Sequence, residues 1–126
     1  MSQLVDASVV LAVILAEPGG TAIADSLSTS TISAVNLSEV YRRLIDGGVE
    51  IADAVAQVER LQLDVVTFSA LQAIEAARLR PATRHIGASF ADRACLALAM
   101  QSGLPVLTAD RKWDMLDLPI DIRQIR

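Results

Sequence analysis

Short apolar runs and helix-spaced apolar stripes take turns along this chain. QLV (residues 3–5) is an apolar run that stops at Asp6, and DASVVLAVILAEPGG behind it suits a helix closed by Pro18, Gly19 and Gly20. Residues 21–27 predict a second, shorter helix. STSTISAV (28–35), rich in β-branched and hydroxyl side chains, predicts a second strand. NLSEVYRRLIDGG follows as a helix ended by Gly47 and Gly48, with Val40, Leu44 and Ile45 as one buried stripe and Arg42 and Arg43 pointing elsewhere. Residues 50–61 form another amphipathic helix, with Ile51, Ala54, Val55, Val58 and Leu61 at helical spacing. DVVTF (64–68) reads as a strand, 69–80 as a helix that stops before Pro81, and RPATRHIGA (80–88) as a polar loop. SFADRACLALAM opens a helix running to Ser102 and stopped by Gly103. PVLT is a buried strand, ADRKWDML a short helix and IDIRQI an edge strand.

Strands that alternate with helices predict an α/β fold, a mostly parallel central sheet covered on both faces. No repeat, low-complexity tract or linker interrupts the pattern, so residues 1–126 are expected to form one domain. Ligands of such sheets gather at the carboxyl ends of the strands, which makes the residues at those ends the informative ones.

Four acids fall there. Asp6 ends the first strand and Asp110 follows the PVLT strand; Glu39 and Asp92 lie in the first turns of the helices beginning NLSE and SFAD. Each has a capping reading. Asn36–Glu39 and Ser89–Asp92 both have the spacing of a capping box, and acids in a first turn complement the helix dipole. Jointly the acids carry a different meaning, because carboxylates brought together repel and call for a cation. The sequence has one His (His85) and one Cys (Cys95), hence no zinc spacing. A carboxylate-only set points instead to Mg²⁺ or Mn²⁺ and to phosphodiester chemistry.

Composition narrows the classes further. With 52% hydrophobic and 21% charged residues the chain is globular, and with only 3% aromatics its core must come from Ala, Val, Leu and Ile. The apolar run 8–16 has no basic leader and is too short to span a bilayer, so neither a signal peptide nor a membrane span is expected. A lone Cys95 fits a reducing cytoplasm and reads as a core residue. A net charge of −4 excludes a generally basic nucleic-acid binder; any nucleic acid must meet a local basic patch or a bound cation.

LVDASVVLAVI, SAVNLSEV and FADRACLALAMQSGLPVLTADRKW together resemble the PIN-domain ribonucleases, particularly the VapC toxins of bacterial toxin–antitoxin pairs. The likeness covers essentially the whole chain. It implies a three-layer α/β/α sandwich and a Mg²⁺- or Mn²⁺-dependent endoribonuclease, with Asp6, Glu39, Asp92 and Asp110 on the family's acidic positions. Asp6 and Asp92 would be direct ligands, Glu39 a ligand or proton acceptor acting through water, and Asp110 a partner for a second metal or an outer water. Asp114 either shares that last role or is a solvated helix acid. Ser8 and Thr108 match small hydroxyl positions that orient carboxylates, and Asn36 either does the same or caps. Arg42, Arg43, Arg84, Arg93, Arg111 and Lys112 are candidate RNA contacts, with Arg93 alternatively pairing with a carboxylate. Trp113 is expected to pack over the end of the sheet rather than stack on a base; Tyr41 is open to either role. The resemblance also implies an RNA substrate, a second copy of the chain in a homodimer, and a VapB-like antitoxin in the acidic groove; the apolar stripe of the Ile51 helix suits either protein contact or the core.

Three rival readings stand beside this one. A phospho-accepting receiver-like module also gathers acids at a sheet edge, but wants paired early acids where this chain has Ser2, Gln3 and Leu4, and Lys112 is the only lysine. An aspartyl phosphatase would want a second acid where Ser8 stands. A catalytically silent PIN-like RNA- or protein-binding domain has no need of an intact acidic set.

Overall fold

In the structure, a computed structural model describing residues 2–126, five short strands pair in parallel in the order β3-β2-β1-β4-β5. They are β1 (Gln3–Val5), β2 (Ser30–Ser33), β3 (Asp64–Val66), β4 (Val106–Thr108) and β5 (Ile122–Gln124). The register sets Leu4 beside Thr31 on one side and Val106 on the other, and Thr108 beside Gln124 at the edge. Among the described residues seven helices flank the sheet: α1 (Ala7–Ile14), α2 (Gly20–Ile23), α3 (Ala34–Asp46), α4 (Ile51–Glu59), α5 (Ala70–Arg78), α6 (Arg80–Thr83) and α7 (Phe90–Ser102). Short 3₁₀ turns cover Ala24–Thr29, Arg84–Ile86 and Arg111–Met115.

Successive strand residues point to opposite faces, and β1 shows the consequence. Leu4 packs with Ala76, Leu79, Leu96, Val106 and Trp113 in one core layer. Val5, its neighbour, packs with Val9, Val10, Ile32, Val40, Leu44 and Val58 in the other. The result is an α/β/α sandwich, as the alternating pattern predicts, with β5 at an edge. Both Cys95 and Trp113 are buried in the first layer, where a core reading puts them. Gly20 is required by close approach, because a Cβ there would collide with the Ala12 carbonyl.

Several boundaries differ from the sequence pattern. The first helix ends at Ile14, and residues 24–29, expected to be helix and then strand, form a 3₁₀ turn. Ser33 both ends β2 and caps α3, its hydroxyl accepting from Val35 N at 3.2 Å. Asn36 and Glu39 therefore lie inside the helix, and the expected Asn36–Glu39 capping box does not form. Residues 80–88 are not a polar loop but α6 and a 3₁₀ turn. Pro81 sits in the first helical turn, where a missing N–H costs nothing, and the segment is anchored by buried Thr83 and Ile86. Ile45, expected in the buried stripe of α3, is half exposed, as is Ile51 at the head of α4.

Candidate active site

Parallel pairing brings the carboxyl ends of all five strands to one edge of the sheet. Asp6 leaves β1, α3 leaves β2 with Glu39 in its second turn, and Asp110 leaves β4; these three strands are adjacent. Helix α7 packs against α3, β1 and β2, and brings Asp92 in its first turn.

Asp6 is the most constrained of the four. It caps α1, accepting from Val9 N at 3.3 Å, and its carboxylate also accepts from the Ser8 hydroxyl and, at 2.8 Å, from Thr108 Oγ1. The Ser8 oxygen in turn accepts from Ala109 N (2.9 Å), and Thr108 Oγ1 from Asp110 N (3.0 Å). The two hydroxyls thus tie the end of β1 to the end of β4. Burial leaves Asp6 only 6% exposed and pushes its pKa up to about 6, against the three hydrogen bonds and with the Asp92 charge adding to the rise.

Asp92 does two things at once. With Ser89 it closes a capping box, accepting from Ser89 N at 2.9 Å while Ser89 Oγ accepts from Asp92 N at 3.1 Å. Its pKa is raised by burial and, in the same direction, by the Asp110 charge; that of Glu39 is raised by burial and then by Asp92. The four acids are thus linked in one field: Asp6 to Asp92, Asp92 to Glu39 and to Asp110. Among the described residues none of the four has an Arg or Lys partner within ion-pair distance. The cations acting on them do so from further off, Arg42 and Arg43 on Glu39 and Lys112 on Asp92.

Asp110 and Asp114 separate. Asp110 caps the 3₁₀ turn that follows, accepting from Lys112 N at 3.0 Å. Asp114, exposed, accepts from Gln124 Nε2 at 3.1 Å and lies 3.8 Å from the Arg111 guanidinium. Gln124 also donates to the Asp110 carbonyl at 2.9 Å, so this β5 side chain fixes the loop that carries both acids. Sequence reasoning missed Gln124. Its only signal is the strand register, which sets it beside Thr108 and does not exist until the sheet forms.

The model of the PIN domain matches residues 4–118. The chain belongs to the PIN domain family. No curated protein sequence matches it. In fold it is similar to the DNA-bound VapBC structure from Salmonella typhimurium, at 20% identity, with 100% of each chain covered and a TM-score of 0.78. It is similar also to VapBC2 from Rickettsia felis bound to a promoter DNA fragment (15% identity, 98% of each chain, TM-score 0.75). VapBC-5 from Mycobacterium tuberculosis, of the VapBC family of toxin–antitoxin systems, gives 22% identity over 99% of this chain and 98% of the other, with a TM-score of 0.66.

Around the acids of this PIN domain, the candidate basic residues sort by what already holds them. Arg42 pairs with Asp46 at 3.2 Å on the exposed side of α3. Arg93 donates to the Ala76 carbonyl at 3.0 Å and stands 6.0 Å from the Phe90 ring centre, so it braces α5 rather than pairing with a carboxylate. Arg111 donates to the Arg126 carbonyl at 2.9 Å. Arg43, Arg84 and Lys112 are exposed. Tyr41 is partly buried and packs on the second core layer.

Among the described residues no three Asp, Glu, His or Cys side chains converge into a ready ligand cage. The donor chemistry nevertheless fits a hard divalent cation. Such an ion keeps several waters and needs only one or two direct carboxylates, and here, among the described residues, a buried Asp6 and its acidic neighbours have no cationic side chain at ion-pair distance. A depression of about 380 Å³ lined by Gly48, Glu50, Asp53, Gln57 and Arg60 contains none of the four acids.

Proposed function

We propose that this PIN domain is a Mg²⁺- or Mn²⁺-dependent endoribonuclease, the toxin of a VapBC-type toxin–antitoxin pair acting in the cytoplasm. The observation that carries the reading is the set of four carboxylates drawn from separate elements to the carboxyl end of one parallel sheet, coupled through Asp92 and, among the described residues, without a cation at ion-pair distance. Asp6 and Asp92 are the residues assigned to hold the cation directly, with Asp110 beside them. When bound, the cation would lower the pKa of an attacking water and offset charge developing on the phosphate.

The protein's own groups supply the rest. Ser8 and Thr108 hold the Asp6 carboxylate in one orientation, and the Ser89 amide does so for Asp92. Glu39 is half buried with its pKa shifted upward, which brings it closer to the range where a carboxylate accepts a proton from water effectively. Arg43 lies four residues after Glu39 on the same face of α3, and Lys112 two after Asp110; both are assigned to the RNA phosphates, with Arg84 as a more distant contact.

The structural neighbours support the assignment of partners. Those proteins are VapBC complexes, which supports a VapB-like antitoxin for this chain. A second copy of the chain is assigned from the resemblance of its motifs to the VapC toxins. No helix among the described residues is long and apolar enough to cross a membrane.

The test is cleavage of RNA by the purified protein with Mg²⁺ or Mn²⁺, stopped by EDTA and mapped at the RNA ends. RNA binding without cleavage at any metal concentration sinks the enzymatic reading and leaves a silent PIN domain. Two narrower outcomes are expected in the same assay. Asp110→Asn should cost at least about tenfold more than Asp114→Asn, a difference of about 1.4 kcal/mol in transition-state stabilisation, because Asp114 is engaged by Gln124 and Arg111. Equal losses would reassign the fourth acid. Cys95→Ala should retain metal-dependent cleavage and cost about 1 kcal/mol of stability, as expected of a core thiol.

A further inference from the structure

Glu39 and Asp92 are like charges on two helices that pack together, α3 and α7. Their repulsion opposes the approach of the two helix ends, and any bond between the helices near these acids counters it. Among the described residues one side-chain hydrogen bond joins these helices. Asn36 Nδ2 donates to the Ala91 carbonyl at 3.0 Å. Ala91 immediately precedes Asp92, and Asn36 precedes Glu39 by three residues, on the same helix face. A single amide therefore spans the two backbones that carry these acids.

Among the described residues the other end of that amide has no partner. Asn36 is 1% exposed and its Oδ1 is buried without a donor. A buried, unsatisfied carbonyl oxygen is costly, whereas an apolar side chain of similar shape would fill the same place without that cost. Packing alone gives no reason for Asn here. What Asn supplies is a donor that reaches α7.

We propose that Asn36 is a positioning residue, which fixes Asp92 relative to Glu39 so that the acidic edge can load a divalent cation. The inference rests on the metal-dependent reading above. Its test is Mn²⁺ binding by calorimetry to the full chain, unaltered and with Asn36→Leu or Asn36→Ala, together with thermal unfolding in EDTA. Asn36→Leu should weaken Mn²⁺ affinity roughly 10–100-fold, the range typical of lost outer support to metal ligands, without lowering the metal-free melting temperature. RNA cleavage by Asn36→Leu should return toward the unaltered rate at saturating Mn²⁺, whereas Asp92→Asn should not be rescued. Asn36→Ala leaves a small cavity in place of a possible clash and is expected to show the same loss of affinity.

Unchanged Mn²⁺ affinity in both Asn36 variants overturns the inference alone, whether or not the melting temperature falls. No Mn²⁺ binding by the unaltered protein overturns the metal-dependent reading and this inference with it.

Discussion

Asp92→Asn and Asp6→Asn are each expected to reduce metal-dependent RNA cleavage by at least about a thousandfold, the equivalent of several kcal/mol of transition-state charge stabilisation. Neither should unfold the chain. An Asn at position 92 keeps the oxygen that accepts from Ser89 N, so the capping box of α7 survives the loss of charge. An Asn at position 6 likewise keeps an acceptor for Val9 N and the Ser8 hydroxyl, and Thr108 can turn its hydroxyl to accept from the new amide. The measurement is single-turnover cleavage at saturating Mn²⁺, with circular dichroism to verify the fold. Substantial activity in either variant would remove that acid from the proposed site.

The second large effect concerns stability, and it runs opposite to the usual acid behaviour. Asp6 has a pKa of about 6 when folded against 3.8 for the ordinary side chain. Between those values the folded state binds a proton that the unfolded state does not, so stability falls as pH rises through the window. At pH 7 a shift of this size corresponds to a penalty on the order of 3 kcal/mol, and Glu39 and Asp92 are shifted in the same direction. Metal-free protein should therefore melt at a higher temperature at pH 5 than at pH 7. Asp6→Asn should be more stable than the unaltered chain at pH 7 and should lose much of this pH dependence. Thermal unfolding in EDTA across pH 5–8 checks both. A melting temperature that instead rises with pH in that window, or a destabilised Asp6→Asn, would contradict this account of the site.

Asp6 thus joins inactivity to stability. One of the two residues assigned to hold the cation directly is also the one whose charge most strains the metal-free fold. A protein selected for stability alone would place a neutral side chain there. Adding Mg²⁺ or Mn²⁺ should recover the lost stability at pH 7, because a ligand that binds only the folded state stabilises it by mass action.

Local signals were readable without the fold. The alternation of apolar runs and helical stripes predicts a parallel sheet with two covered faces, and Leu4 and Val5 do enter opposite core layers. Ser89 and Asp92 form the capping box their spacing announces, since its partners lie within one helical turn. The four acids were readable as a set because each sits at a strand end or near a helix start, and parallel strands carry such positions to a common edge.

Partners distant in sequence were not readable. Asn36 looked like a helix cap from its spacing to Glu39, but β2 continues only to Ser33, opposite Val66, and Ser33 takes the cap. Asn36 is thereby turned into the helix body and toward Ala91, 55 residues away. Arg93 looked like a phosphate contact or a carboxylate's partner, and packing of α5 on α7 gives it the Ala76 carbonyl instead. The separation of Asp110 from Asp114 depends on Gln124, which reaches them only after β5 pairs with β4. The sequence by itself determined which residue types stand at the strand ends, because periodicity and capping act over a few residues. Only the tertiary structure decided which amides, hydroxyls and carbonyls hold them, because those hydrogen bonds are made between elements whose approach is set by the packing of the whole core.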